Sequence, residues 1–325
     1  MKSIGQVKQS LPREFVQKLY ERFPTHTAEK ILAGYAAERS PSLRANTLKT
    51  GIRQLMPELT GQGVKFERVP WYSDALVIKN RREREVERLE AYKAGRLYLQ
   101  SLSSMIPPLA LDPRPGEKVL DMAAAPGSKT TQLAMIMQNQ GHILANDANK
   151  LRVERLKYNV AVQGAGMVEV NLGDGRTLGG KYPEQFDRVL LDVPCSGEGL
   201  FLAGDPRTYR HWSPKEVGKL ASLQKKLFSS AFQALKPGGT LVYSTCTLSP
   251  EENEMVVDWA LGEFAGRLKV AEIPLRIPGA RAGGKDFGAA TRLRPDVEKA
   301  LRILPSKLME GFFVCRFRKT TEIRV

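Results

Sequence analysis

The sequence predicts a doubly wound, mostly parallel Rossmann-like α/β sheet, preceded by a small α+β module. Three observations predict it. Short apolar strands alternate with helical stretches from about residue 117 onward. The strands run into loops of small, acidic or cysteine residues, as expected where such sheets bind ligands beyond their carboxyl ends. The first hundred residues lack that alternation and are more heavily charged.

Residues 12–22 and 27–38 have helical patterning, and 64–69 and 75–78 read as short strands. The run RREREVERLE (81–90) reads as a solvated loop or surface helix. Helix-breaking residues cluster between Pro107-Pro108 and Pro115-Gly116, which predicts a boundary there. The expected division is a small N-terminal module with its linker over 1–110 and a second domain over 111–325. In the latter, strands are expected at 117–121, 142–146, 167–170, 188–191 and 240–244. Helices are expected from about 129, over 149–163 and over 214–235, the last stopped by Lys236-Pro237-Gly238-Gly239. Residues 279–288 read as a mobile glycine-rich loop, and 311–319 as a final strand.

Charge adds a partner class. The 325 residues carry a net charge of +15. Residues 1–110 hold 19 Lys/Arg against 11 Asp/Glu, residues 265–325 hold 14 against 6, and the middle holds 17 against 18. Two basic ends flanking a neutral centre suit a polyphosphate partner, although a generally cationic protein would look alike. Arg44, Arg81, Arg82, Arg84, Arg316 and Arg318 are candidate phosphate contacts. No apolar run approaches the roughly 18 residues of a membrane span. The first fifteen residues lack the apolar centre of a signal peptide, so a cytoplasmic protein with no membrane partner is expected. Three scattered cysteines and three scattered histidines give neither a disulfide framework nor zinc-ligand spacing, so no metal is expected.

The chemistry should sit in the loops. Ala123, Ala124, Ala125, Pro126, Gly127, Ser128 and Lys129 follow the first strand. A phosphate-cradling P-loop would need glycine where Met122 and Ser128 stand, and G-x-G-x-x-G is absent. A loop for S-adenosylmethionine, which has no phosphates, fits better. Asp147 ends the second strand, 20 residues beyond Gly127, where an acid can accept from a ribose. It could instead cap the next helix. Asp174 follows the third strand and could accept from an adenine amino group, or could be an ordinary turn aspartate. Asp192 and Cys195 follow one strand, and Cys246 follows another. A lone cysteine is usually a small buried hydrophobe. Two at strand ends beside a cofactor loop favour catalysis.

A thiol is what methylation of cytosine C5 requires. That carbon is a poor nucleophile until a thiolate adds at C6. Lys129, or the sulfonium of the cofactor, could favour the thiolate. Asp192 could help protonate N3, and the base must first leave its stack.

The set DMAAAPGSKT (121–130), AND (145–147), GDG (173–175), DVPCSGEG (192–199) and YSTCTLSPEENE (243–254) resembles the Nop/Sun family of RNA cytosine-5 methyltransferases. SLRANTLK (42–49), GRLYLQSLSSMIP (95–107), HWSP (211–214) and GFFVCRFRK (311–319) extend the resemblance from about residue 10 to 319. Within the family the match leans to the branch acting on small-subunit (16S) rRNA. The resemblance implies Cys246 as nucleophile and Cys195 in product release. It places residues 123–129, Asp147, Asp174 and Asp192 at S-adenosylmethionine, with Lys129 and Asp192 also facing the cytosine. Cys315 matches no catalytic motif and is expected to pack. Such proteins often carry a further C-terminal RNA-binding region. The sequence ends at Val325, so the basic flanks are expected to bind the RNA, the protein acting as a monomer. A DNA cytosine-5 methyltransferase would use the Pro-Cys cysteine and carry a Glu-Asn-Val motif, which is absent. A tRNA-specific relative and a non-catalytic rRNA-binding assembly factor are the remaining alternatives.

Overall fold

Alternating periodicity becomes alternating structure in the computed structural model, which describes residues 2–284 and 293–321. Residues 285–288 of the expected mobile loop lie outside the described residues. The chain opens with helices α1 (Ile4–Ser10), α2 (Arg13–Arg22) and α3 (Thr25–Tyr35). Then come β1 (Ser42–Ala45), α4 (Ile52–Gly61), β2 (Phe66–Val69), β3 (Tyr72–Ile78), α5 (Glu83–Val86), α6 (Glu90–Lys93) and β4 (Leu97–Leu99). Next are α7 (Leu102–Leu111), β5 (Lys118–Asp121), α8 (Ser128–Ile136), β6 (His142–Asp147), α9 (Lys150–Gln163), β7 (Val168–Leu172), α10 (Leu178–Lys181) and β8 (Phe186–Asp192). The chain continues with α11 (Pro214–Ala234), β9 (Leu235–Thr245), α12 (Glu254–Glu263), β10 (Leu268–Ala271), β11 (Arg281–Ala282), β12 (Leu301–Ile303) and β13 (Phe312–Lys319). These elements divide into a terminal unit (Met1–Arg39, Val193–Ser229, Tyr243–Val325) and a sheet unit (Ser40–Asp192, Ser230–Val242).

In the sheet unit, β5 pairs in parallel with β6 on one side and β8 on the other, and β6 pairs in parallel with β7. The order β9-β8-β5-β6-β7 therefore reverses direction at β5. Ligands in open α/β sheets bind at such a switch point, beyond the carboxyl ends. Those ends here are Asp121 and Asp192. Strands β2-β3-β1-β4 form a separate antiparallel sheet in the same unit. Its core joins Leu43, Leu76 and Leu97 to Leu55, Leu59, Val86 and Ala91. The charged run 81–90 thus holds the short helix α5, anchored by buried Val86, and ends where α6 begins at Glu90.

Two features of this unit depart from the expectations. Pro107 and Pro108 lie inside α7 instead of ending it. Proline removes an N–H that would have bonded a carbonyl one turn back. The Gln100 side-chain amide donates to Ser104 O at 3.1 Å and satisfies one such carbonyl. Arg44, expected on a basic surface, is fully buried. Its guanidinium donates to Gln100 Oε1 (2.8 Å), Thr131 Oγ1 (2.6 Å) and Ser128 O (3.2 Å), which ties β1 to α8.

The terminal unit buries Phe15 and Leu19 of α2, Ile31, Leu32 and Tyr35 of α3, and Phe23 between the two helices, around Phe201. Phe15 meets Phe201 at 4.9 Å between ring centroids and Trp212 edge-on at 5.3 Å. Strands β10 to β13 are antiparallel, with β13 between β10 and β12. Cys315 on β13 is fully buried, as a packing residue should be. A buried ion pair, Arg302 with Glu254, has N–O distances of 2.5 and 2.7 Å, and Arg302 also donates to Leu248 O at 2.8 Å.

Candidate active site

In the sheet unit the site starts from small residues. Gly127 caps α8 with φ +108°, a left-handed conformation that favours glycine. A Cβ there would sit 3.0 Å from Leu156 Cδ1. The turn closes through Gly127 N–H to Ala124 O (2.8 Å) and Ala124 N–H to Asn146 O (2.7 Å). Asp147 is buried, and its carboxylate accepts from Ala125 N–H (3.3 Å) and Asn149 N–H (3.0 Å). The N-cap of α9 is Asn149, which accepts from Arg152 N–H at 3.1 Å. Asp147 is therefore left to brace the loop, with Arg152 at 3.4 Å. Asp174 caps a short 3-10 turn, and a fork from Arg176 holds its carboxyl below the usual range. Lys129 Nζ meets Asp192 Oδ2 at 2.7 Å, so the first turn of α8 is bound to the carboxyl end of β8.

Sequence reasoning missed Asp121. It ends β5 and is buried. Thr130 Oγ1 donates to its Oδ2 at 2.7 Å, while its Oδ1 has no protein partner. Burial pushes its carboxyl up to about 7 against the Thr130 hydrogen bond, with Asp192 and Asp147 adding to the rise and Lys129 opposing it. Asp121, Asp147, Asp192 and Lys129 thus interact electrostatically at the carboxyl ends of the strands. An orphaned buried oxygen is a site a ligand would satisfy. Nothing local in the sequence separates Asp121 from any other strand-end acid.

The terminal unit carries the sulfur chemistry. Cys195 Sγ and Cys246 Sγ lie 3.2 Å apart, and neither is in a disulfide. The hydrogen bond with Cys246 raises the Cys195 thiol well above its ordinary value, and burial and the Cys246 and Glu252 charges add to the effect. Cys195 is thus held as the S–H partner of its neighbour. Backbone bonds fix the two loops. Val193 N–H donates to Ser244 O (3.1 Å), and Gly199 N–H donates to Cys246 O (2.9 Å). Arg22 braces the far side, lying 3.4 Å from buried Glu198 and 2.9 Å from Glu251.

The sequence-selected residues thus fall into two groups. Residues 123–129, Asp147, Asp174 and Asp192 belong to the sheet unit, and Cys195 and Cys246 belong to the terminal unit. Asp192 precedes Cys195 by three residues in the chain. Glu252, which lies within the 243–254 motif, and Gln224 hydrogen-bond behind the thiols; neither was singled out, because they converge from 28 positions apart.

Residues 108–318 match the family described as 16S rRNA methyltransferase RsmB/F, and residues 11–102 match the N-terminal domain of 16S rRNA methyltransferase RsmF. A ribosomal RNA small subunit methyltransferase F from Cronobacter sakazakii is 39% identical over 319 residues, covering 96% of this chain and 64% of that protein. One from Klebsiella pneumoniae is 38% identical with the same coverage. The chain therefore spans about 64% of the length of these curated relatives. A solved methyltransferase homolog from Pyrococcus horikoshii superposes with a TM-score of 0.85 at 33% identity, covering 97% of this chain and 98% of that one. NSun6 from Pyrococcus horikoshii, solved with SFG, shares the fold at a TM-score of 0.83 and 24% identity, covering 97% and 100%.

Proposed function

Because the chain belongs to the RsmB/F family of 16S rRNA methyltransferases, we propose that it methylates C5 of a cytosine in RNA, with small-subunit rRNA as the substrate. We assign Cys246 as nucleophile, Cys195 to product release and S-adenosylmethionine as methyl donor. Residues 1–110 are assigned to RNA binding and 111–325 to methyl transfer.

The observation that carries this reading is the pair of unlinked thiols 3.2 Å apart, in loops that follow two strands. Core packing needs no such pair, and a covalent addition–elimination at a pyrimidine has separate tasks for two sulfurs. The cofactor assignment rests on the acidic strand ends. Asp121, with an unsatisfied oxygen, suits the cationic part of the donor, and Asp147 at the end of β6 is assigned to its ribose. Residues 123–128 allow close approach of backbone. Asp174 is assigned to the adenine, exchanging its Arg176 contact for it.

The thiolate of Cys246 forms a bond to C6 of a flipped-out cytosine. The ring electrons shift toward C5, and N3 takes a proton from solvent, relayed by the Asp192 carboxyl group that Lys129 holds in place. When bound, S-adenosylmethionine supplies an electrophilic methyl group to the activated C5. Cys195 releases its own thiol proton to solvent and, as the thiolate, takes the C5 proton. The C5–C6 double bond re-forms, the C6–S bond breaks, and N3 gives up its proton. The raised Cys195 thiol suits this order of events. Its largest cause is the hydrogen bond to Cys246, which is lost once Cys246 is bonded to carbon. Cys195 therefore becomes easier to ionise at the step that needs a base.

The test supplies the purified protein with methyl-tritiated S-adenosylmethionine and either small-subunit rRNA or tRNA, then digests the RNA to nucleosides. Label in 5-methylcytidine from the rRNA is expected. Label in any other nucleoside, or in neither RNA, overturns the assignment, and label confined to tRNA moves the substrate.

A further inference from the structure

The two cysteine loops are joined behind the sulfurs by one buried carboxyl group. Glu252 is fully buried. Its Oε2 accepts from the Ser196 backbone N–H at 2.9 Å, and its Oε1 contacts Ser196 Oγ. That hydroxyl also meets Thr247 Oγ1 at 2.7 Å. Ser196 directly follows Cys195, and Thr247 directly follows Cys246. One carboxyl group therefore grips the residue after Cys195 directly and the residue after Cys246 through the Ser196 hydroxyl. Gln224 of α11 completes the frame, its amide donating to Glu252 Oε2 and to Pro194 O, both at 2.9 Å. Tyr243 of β9 donates to the Glu252 carbonyl at 2.5 Å.

We propose that Glu252 is a positioning residue that sets the register of Cys195 against Cys246 by clamping both loops through Ser196 and Thr247. It touches neither substrate nor cofactor and acts through the two sulfurs. Its catalytic importance rests on the methyltransferase reading above, but the clamp itself does not.

The carboxyl is also poised to titrate. Burial pushes it up to about 7, against the opposing pull of the Ser196 and Gln224 hydrogen bonds. The titratable groups that face it are Cys195 and Glu198 from the loops after β8 and Tyr243 from β9, while α11 presents the neutral Gln224. Arg22 is spent on Glu198 and Glu251. When Glu252 is ionised, Ser196 Oγ–H donates to it and Thr247 Oγ1–H donates to Ser196. When it is protonated, the hydroxyl chain can reverse, with Glu252 donating to Ser196 and Ser196 to Thr247. Both arrangements hold the loops, but only the ionised one places negative charge beside Cys195, which keeps that thiol protonated.

Thiol register can be read without methylation, from the rate at which the full chain forms a Cys195–Cys246 disulfide. Diamide is the oxidant, taking two electrons and two protons from the pair to give the hydrazine, and peptide mass spectrometry identifies the bond. The wild-type chain should close this disulfide readily from a 3.2 Å start. Glu252→Ala and Ser196→Ala, which cut the clamp, should slow closure about tenfold or more, since displacements near 1 Å have effects of that order or larger. Glu252→Gln, which keeps size and an acceptor, should close within about twofold of wild type but lose the rate inflection near pH 7. Ser196→Ala removes a single oxygen and keeps the test decisive if Glu252→Ala does not fold. Wild-type closure rates in both alanine variants would overturn the proposal and leave the methylation reading standing. A chain inactive on RNA that still shows the predicted ordering of rates would do the reverse.

Discussion

Asp121→Asn should make the cofactor-free protein more stable at pH 8 and less stable near pH 4. The native carboxyl is raised from an ordinary 3.8 to about 7. Between those values the folded chain holds a proton that the unfolded chain has released, so wild-type stability falls as pH rises through the window. Three units at 1.36 kcal/mol each give about 4 kcal/mol of destabilisation above pH 7. The amide removes that charge. It retains an acceptor for Thr130 but sets an N–H group where Oδ1 already lacks a partner. An unsatisfied buried donor costs about 1–3 kcal/mol. The variant should therefore gain about 1–3 kcal/mol at pH 8 and lose a somewhat smaller amount near pH 4, where the folded wild-type carboxyl is neutral and the unfolded one is about half ionised. Urea unfolding of the two proteins at each pH measures this directly, and the parallel titration of Glu252 cancels in the difference. Affinity for S-adenosylmethionine should move the other way, weakening about tenfold or more on loss of a charge-assisted hydrogen bond. A stability difference of the same sign and size at both pH values would refute the reasoning.

Three further outcomes concern arginines in different settings. Arg302→Met, which strands buried Glu254, should cost about 3–5 kcal/mol in chemical denaturation, whereas the double change with Glu254→Met should recover most of the loss. A double variant no better than the single would contradict this. Replacing Arg81, Arg82 and Arg84 with Gln should flatten the salt dependence of RNA binding, measured by filter binding, by up to about 0.7–0.9 in log–log slope for each phosphate no longer neutralised. Arg44→Ala should instead lower stability and leave that slope unchanged, because Arg44 bonds only within the interior.

The sequence disclosed those features that local chemistry writes into it. The stop after α11 was legible because Lys-Pro-Gly-Gly cannot continue a helix, and α11 does end at Ala234. The loop at 123–129 and the cysteine loops were legible because small residues and thiols at strand ends are unusual. Features that depend on distant partners stayed hidden. Pro107 and Pro108 read as breakers, since nothing local reveals that Gln100 satisfies a freed carbonyl. Asp147 could not be separated from a helix cap until Asn149 was seen to fill that position. Arg44 read as surface charge, although Gln100 and Thr131 receive it inside. Asp121 and Glu252 went unnoticed because burial is a property of the assembled fold.

The central claim is that Cys246 becomes covalently attached to cytosine and Cys195 frees it. The direct measurement incubates the Cys195→Ala protein with S-adenosylmethionine and small-subunit rRNA, then maps any protein–RNA adduct by tandem mass spectrometry. The account predicts a trapped, already methylated cytosine bonded to the sulfur of Cys246, and no adduct when Cys246→Ala is added. An adduct on another residue, or full turnover with Cys246 replaced, would contradict it.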